Sequence, residues 1–283
     1  MSRYGGSVRF LSCALIALLV AMPAREIRAE SCLTLQGHAI QGGLLWGQTT
    51  ENSNVTFDGR AVPLLPDGRF LLGIGRDMPS TAQLLIQTDV LCQQEIVIAQ
   101  REYLVQNITG VPQQTVTPSE SHLERIRLER EKVRAAKALR LQRDDGLNAL
   151  QAGFSWPVTG RISGVYGSQR IYNGTPGSPH YGVDVARPEG TPVLAPAPGE
   201  VTLAEPDLFY SGGTVILDHG YGLSSSFLHL SEVAVSVGDR LQTGDLLGAI
   251  GATGRATGPH LDWRMSWLNQ RIDPQLLVPP MPD

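Results

Sequence analysis

The sequence predicts a mainly β protein: a small N-terminal β-sandwich, one connecting α-helix, and a C-terminal all-β region of antiparallel sheets. Three observations carry this. The chain has 31 glycines and 19 prolines but only 6% aromatic residues, a balance that favours many turns and short strands. Short apolar runs bounded by turn signals recur across residues 32–106 and again from Phe154 onward. One stretch alone, residues 121–145, has the Glu, Arg, Leu and Ala content of a long helix.

Taken in order, residues 1–29 read as a secretory signal. Arg3 and Arg9 supply the positive end, residues 10–22 are an apolar run too short for a permanent span, and Ile27-Arg28-Ala29 ends in a small-residue cleavage site. The expectation is an exported protein of the periplasm or cell envelope, with no stable membrane anchor after signal removal. Glu30-Ser31-Cys32 lacks the small apolar residues that precede a lipidated cysteine. Cys13 leaves with the signal, and the remaining pair, Cys32 and Cys92, suggests one disulfide in an oxidising compartment. Closing so long a loop contributes on the order of 4 kcal/mol in the loop-entropy view.

Residues 30–106 make the first module. Residues 54–57 run into Asp58-Gly59, a hairpin signal. Further strands are expected at 61–65, 69–74, 82–87 and 94–99, and their even spacing suggests a small β-sandwich. The module holds no catalytic constellation, and the lone His38 is a surface or structural residue. Its use is left open between a spacer, a substrate-positioning domain and an inhibitory cover.

Residues 107–150 form a linker and the helix. Thr117 is a candidate N-cap, Pro118 fits the first helical position, and Glu120 completes a capping box. Residues 121–145 alternate in charge sign and have few apolar positions, Leu123, Ile126, Val133 and Leu139 among them. That pattern predicts a solvent-exposed connecting helix rather than a coiled coil, ended by Gly146.

Residues 151–283 read as strands throughout, at 160–163, 164–170, 182–186, 191–195, 199–204, 213–218, 223–228, 240–241, 247–251 and 260–265, with a loop over 173–179. Short strands without intervening helices imply antiparallel sheets. A net charge of −4 argues against a nucleic-acid partner.

The chemistry gathers in three pieces: Pro179-His180-Tyr181-Gly182-Val183-Asp184, Phe227-Leu228-His229-Leu230-Ser231, and Gly258-Pro259-His260-Leu261-Asp262-Trp263. On a strand, residues i, i+2 and i+4 share a face. His180 and Asp184 then point one way, as do His260 and Asp262. Nitrogen and oxygen donors of this kind suit a borderline-soft cation such as zinc, held by three protein ligands with one position left for water.

These motifs, in this order, resemble the lysostaphin-type (LytM-like) zinc endopeptidases of bacterial cell walls. The flanking text is similar too: Gly190-Thr191-Pro192-Val193, Gly199-Glu200-Val201, and Val237-Gly238-Asp239 leading to Gly248-Ala249-Ile250-Gly251. The resemblance spans roughly residues 155–277 and implies a compact β-sandwich with a metal groove across one sheet. It implies His180 and Asp184 as metal ligands, His229 as a catalytic histidine that orients water and helps hold the oxyanion, and His260 as general base. Arg170 lies in the segment that forms the groove wall in relatives and is a candidate for substrate contact. His219 takes no role from the family and reads as a turn residue.

One position departs. Where the family ends its last motif His-x-His, this chain has His260-Leu261-Asp262. A carboxylate also ligates zinc, so Asp262 is expected as the third ligand of one zinc ion, with manganese or iron more competitive than in a two-histidine site. A carboxylate buried there would be costly without a cation, and a metal would supply one. The expected activity is hydrolysis of cross-linking peptides of peptidoglycan. The alternative is a catalytically degenerate relative that regulates a separate cell-wall hydrolase as its partner.

Overall fold

In the computed structural model the described residues are 1–2, 33–109, 120–143 and 145–282. The first strands are β1 (Gln36–Gly37), β2 (Leu44–Gln48), β3 (Asn54–Phe57), β4 (Arg60–Ala61), β5 (Arg69–Gly73), β6 (Thr81–Gln87) and β7 (Leu91–Val97). They make two antiparallel sheets, β1-β2-β5 and β4-β3-β6-β7, the two layers that the alternation predicts. Asp58 and Gly59 have φ of 46° and 72°, so β3 and β4 are joined by a two-residue turn with positive φ at both central positions. Phe57, Phe70, Leu72, Leu84 and Ile86 fill the space between, each contributing about 1.5–3 kcal/mol by burial. β2 lies outside the expected strands; its Gly47 lets the Phe70 ring approach, since a Cβ there would lie 2.9 Å from that ring. Cys92, on β7, is disulfide-bonded; Cys32, the signal segment 3–29 and the cap at Thr117 and Pro118 lie outside the described residues.

β8 (Val105–Ile108) is followed by α1 (Glu120–Ala138) and α2 (Asp145–Ala152). The expected helix thus ends at Ala138, and Gly146 lies inside α2 rather than closing α1. The cause is tertiary. Leu139 N closes a tight turn on Ala136 O, Arg140 takes a left-handed φ of 46°, and the Leu141 carbonyl accepts from Tyr221 N at 3.0 Å. Pairs such as Arg125–Glu129 and Arg127–Glu131 lace the exposed side of α1. The other side is not solvated: Val133 and Ala136 pack on Leu203, Leu208 and Ile216 of the large sheet.

The remaining strands are β9 (Arg161–Gly164), β10 (Gln169–Tyr172), β11 (Thr175–Pro176), β12 (Val183–Ala186), β13 (Pro192–Leu194), β14 (Gly199–Leu208), β15 (Gly212–Gly220), β16 (Leu223–Val233), β17 (Arg240–Leu241), β18 (Leu246–Ile250), β19 (His260–Trp267) and β20 (Gln270–Ile272). The large sheet runs β17-β14-β15-β16-β19-β12-β9, with β13, β18 and β20 attached, and its pairings are antiparallel. The segment expected as a loop over 173–179 instead contains a hairpin: β10 pairs β11 around Asn173 and Gly174, at φ 49° and 83°. β8 adds to β10 in parallel, so the chain leaving the N-terminal sandwich becomes an edge of that hairpin.

Register sorts the two faces. Trp263 opposes Phe227 and Trp267 opposes Leu223, all buried in the core. On the other face Asp262 opposes Leu228, Arg264 opposes Ser226 and Ser266 opposes Ser224. Ser226 in turn opposes Ile216, which α1 covers. Helix α1 and the residues His260, Asp262, Arg264 and Ser266 therefore share one face. Apolar packing is continuous from the N-terminal strands into the large sheet, and Arg101 pairs with the buried Asp273 at 2.8 Å across that junction.

Candidate metal centre

His180 is held by the turn at residues 165–168. Its N–H donates to Ser168 O at 2.8 Å and its carbonyl accepts from Gly167 N at 2.7 Å. Its Nδ1–H donates to Val165 O at 3.2 Å, which leaves Nε2 with a lone pair. The turn is wedged from the N-terminal module: Arg76 Nε donates to Gly167 O at 2.9 Å, and the Tyr103 ring lies where a Cβ on Gly167 would fall, 2.0 Å away.

Register places Asp184 on β12 directly opposite Asp262 on β19. His180 Nε2 lies 3.1 Å from Asp184 Oδ1 and 3.5 Å from Asp262 Oδ1. One donor atom from each of the three lies within 4.8 Å of the others. The 3.1 Å approach has ion-pair length but not hydrogen-bond direction, for His180 Nε2 and Asp184 Oδ1 are both buried without a hydrogen-bond partner. Orphaned buried acceptors that face one another call for a cation between them. Burial pulls the His180 imidazole down, but the carboxylates of Asp184 and Asp262 outweigh it and push it up to about 10. Without metal that cation is a proton, which a metal would displace. Two glycines clear the space: a Cβ on Gly164 would fall 2.1 Å from Asp184 Oδ2, and one on Gly182 2.6 Å from Asp262 Oδ1.

Asp262 is 2% exposed. The expectation that a metal must supply its counter-charge needs correction, because Arg264 already does so. Arg264 Nε lies 3.0 Å from both carboxylate oxygens and Nη2 2.5 Å from Oδ2. Burial would raise the Asp262 carboxyl, but Arg264 and His180 hold it well below the usual carboxylate range. Oδ2 takes both Arg264 nitrogens, while Oδ1 shares only Nε and also faces His180. The Asp262–Arg264 pair is neutral as a unit, like the imidazole that it stands in for.

The other two histidines complete the group. His229 Nδ1–H donates to Thr253 O at 2.8 Å and His260 Nδ1–H to Gly258 O at 2.8 Å, so in the neutral form each keeps Nε2 as an acceptor. Their ring centroids are 4.9 Å apart, and His260 Nε2 is 3.9 Å from Asp184 Oδ1. Burial lowers the pKa of His229. Its backbone stands at φ 66°, in the left-handed region that costs a non-glycine residue energy and collects at functional sites; its N–H is held by Ser211 O at 2.8 Å.

The structure therefore brings His180, Asp184, Asp262, His229 and His260 together. Arg170 stands exposed on β10. His219 is not a turn residue: it is buried on β15, with Nδ1 on Pro198 O and Nε2 on Ser225 Oγ, both at 2.7 Å. Sequence reasoning missed Arg264, although it continues the i, i+2 series from His260 and Asp262. It also missed Val165 and Thr253, whose carbonyls fix two tautomers and leave no trace in side-chain identity.

Residues 178–274 match the sequence profile of Peptidase family M23. The chain is 36% identical over 126 residues to the peptidoglycan DD-endopeptidase ShyA of Vibrio cholerae, a match covering 43% of this chain and 29% of that protein. It is 32% identical over 132 residues to the cell division protein DipM of Caulobacter vibrioides, covering 44% of this chain and 21% of that one. The matched region is thus less than a third of either relative's length. A crystal structure of a candidate peptidase M23 from Pseudomonas aeruginosa superposes with a TM-score of 0.64 at 29% identity, over 85% of this chain and 95% of that one. That likeness reaches well beyond residues 178–274.

Proposed function

We propose that the protein, whose residues 178–274 match the profile of peptidase family M23, is an exported zinc metalloendopeptidase that hydrolyses cross-linking peptide bonds of peptidoglycan. The observation that carries the reading is the pair of orphaned, buried acceptors, His180 Nε2 and Asp184 Oδ1, converging with Asp262 Oδ1. His180, Asp184 and Asp262 would hold one zinc ion, with one site left for water or substrate. Zinc bound there supplies Lewis acidity toward the scissile carbonyl and an attacking water.

The protein's own groups do the rest. His260 Nε2, an acceptor beside Asp184, takes the proton from the attacking water as general base. His229 Nε2 is the second acceptor and orients that water. It donates to a developing oxyanion only after gaining a proton at Nε2, since Nδ1–H is held by Thr253 O and burial lowers its pKa. The imidazolium formed in the first step returns its proton to the leaving amine. The relative ShyA is named for peptidoglycan endopeptidase action, which supports the substrate class, and the periplasm or cell envelope follows from that substrate and from the signal-like residues 1–29.

One observation favours a second reading, a regulator of another cell-wall hydrolase: Arg264 satisfies Asp262 without metal. Metal analysis and cleavage of isolated peptidoglycan by the full chain decide between the two. In the enzyme, Asp262→Ala loses metal and cleavage together, and His260→Ala loses cleavage while metal stays bound. Wild-type protein that takes up neither zinc nor manganese and cuts no peptidoglycan sinks the enzyme and leaves the regulator.

A further inference from the structure

Between α1 and the sheet face that carries the metal ligands lies a cavity of about 480 Å³. Its lining holds five cationic side chains, Arg130, Arg134, Lys137, Arg140 and Arg271, against one carboxylate, Glu129. Glu129 is already engaged, accepting from Arg125 Nε at 2.6 Å and from Phe209 N at 2.8 Å. Among the described residues, the cations in the ion pairs of α1 are Arg125, Arg127 and Lys132, not the basic side chains that line the cavity. The excess of positive charge is local, in a chain whose net charge is −4.

The inner pair is the telling one. Lys137 Nζ and Arg271 Nη1 both converge on Ser266 Oγ, at 3.3 Å and 2.8 Å. A hydroxyl has two acceptor lone pairs and one proton; with both lone pairs taken, its O–H is left to donate. A neutral hydroxyl also leaves both charges uncompensated. Burial and the neighbouring Arg271 and Arg264 push the Lys137 ammonium well down, and burial and Arg264 lower Arg271. Asp262, a carboxylate whose charge acts on Arg271, is occupied by Arg264. Partly buried basic groups that repel one another when charged, around an O–H donor, form a site for an anion with several oxygens, which would restore the ammonium.

We propose that this cavity is a carboxylate subsite for the acidic peptide on which the metal centre acts, with Lys137, Arg271 and Ser266 as its direct partners. The inference rests on the peptidoglycan reading above. Ser266 lies four residues beyond Asp262 on the same face of β19, about 13 Å at about 3.3 Å per residue. An extended peptide covers that distance in about four residues, so the carboxylate recognised stands three to four residues from the bond cut.

The test uses zinc-loaded full chain and two probes: a purified cross-linked muropeptide dimer with free carboxylates, and the same dimer amidated. Calorimetry is expected to show the acid binding about 10- to 100-fold more tightly than the amide. Lys137→Met and Arg271→Gln each bring the acid toward the amide's Kd and leave the amide unchanged. Where either melts early, Arg130→Gln at the cavity rim gives a smaller loss of the same kind. Equal binding of acid and amide by wild type, no binding of either, or equal weakening of both in the variants overturns the subsite. Cleavage separates the two readings. If neither dimer is cut but the acid preference persists, the enzyme reading fails and the subsite stands. If both are cut with equal KM and bound equally, the enzyme stands and the subsite fails.

Discussion

Replacing Arg264 by leucine tests how the departed ligand position is held. Asp262 keeps 3% of its side chain exposed, and Arg264 keeps 31%. Breaking a buried ion pair from one side costs about 3–5 kcal/mol; the partial exposure of Arg264 puts this pair at the low end, about 3 kcal/mol. At about 2–4 °C per kcal/mol for a chain of this size, the metal-free variant should melt about 6–12 °C below wild type. Zinc changes the comparison. A divalent cation restores the counter-charge that Asp262 has lost, so saturating zinc should raise the melting temperature of Arg264→Leu by more than it raises that of wild type. Removing both charges, in Asp262→Asn/Arg264→Leu, should recover much of the metal-free loss, because no stranded carboxylate remains. Calorimetric melts with and without zinc measure all of these. A metal-free variant that melts with wild type, or one that zinc stabilises no more than wild type, refutes the argument that Arg264 is the resident counter-ion.

Three further outcomes are expected. Gly164→Ala puts a Cβ 2.1 Å from Asp184 Oδ2; zinc retention during dialysis against a chelator should fall about 10-fold or more, and retention equal to wild type would show that Asp184 is not held there. Tyr103→Ala removes the wedge against Gly167 and should weaken zinc about 10-fold without disturbing the N-terminal sheets by circular dichroism; an unchanged zinc affinity counts against the wedge. Asp218 is raised to about 6 by burial, against donors from Gly220 and Leu141. Its folded value exceeds its unfolded one, so the folded protein binds that proton more tightly and the ionised form costs stability above about pH 6. Urea melts should show wild type gaining on Asp218→Asn as pH falls from 7 to 4; a difference flat in pH excludes Asp218 as the source.

Periodicity made most of the strands legible. Residues 240–241 are β17 to the residue, and the run that begins at His260 is β19 with two more residues at its end. The convergence of the candidate ligands was legible for the same reason, since alternation on β12 and β19 brings Asp184 opposite Asp262. The failures have separate causes. Helix α1 stops at Ala138 because Leu141 bonds to Tyr221, eighty residues later, and no local signal encodes that bond. Asn173-Gly174 does carry a hairpin signal, but the polar residues around it read as a loop. His219 was misplaced because Gly220 and Gly222 look like a turn, whereas the histidine before them is tied to Pro198 and Ser225 from within the sheet. Arg264 was overlooked because the family pattern directs attention to two positions of β19, while the charge balance of the site extends to a third.

The wedge of Arg76 and Tyr103 against Gly167 would make the N-terminal sandwich a lever on the proposed metal centre. Gly167 bonds to the backbone of His180, so any shift of the sandwich reaches a proposed ligand through two contacts. Coupling of this kind runs both ways. Were the wedge to shift, the affinity of the proposed centre for zinc would change by some factor, and zinc would bias that shift by the same factor. The sandwich would then need no chemistry of its own to set whether the centre is loaded.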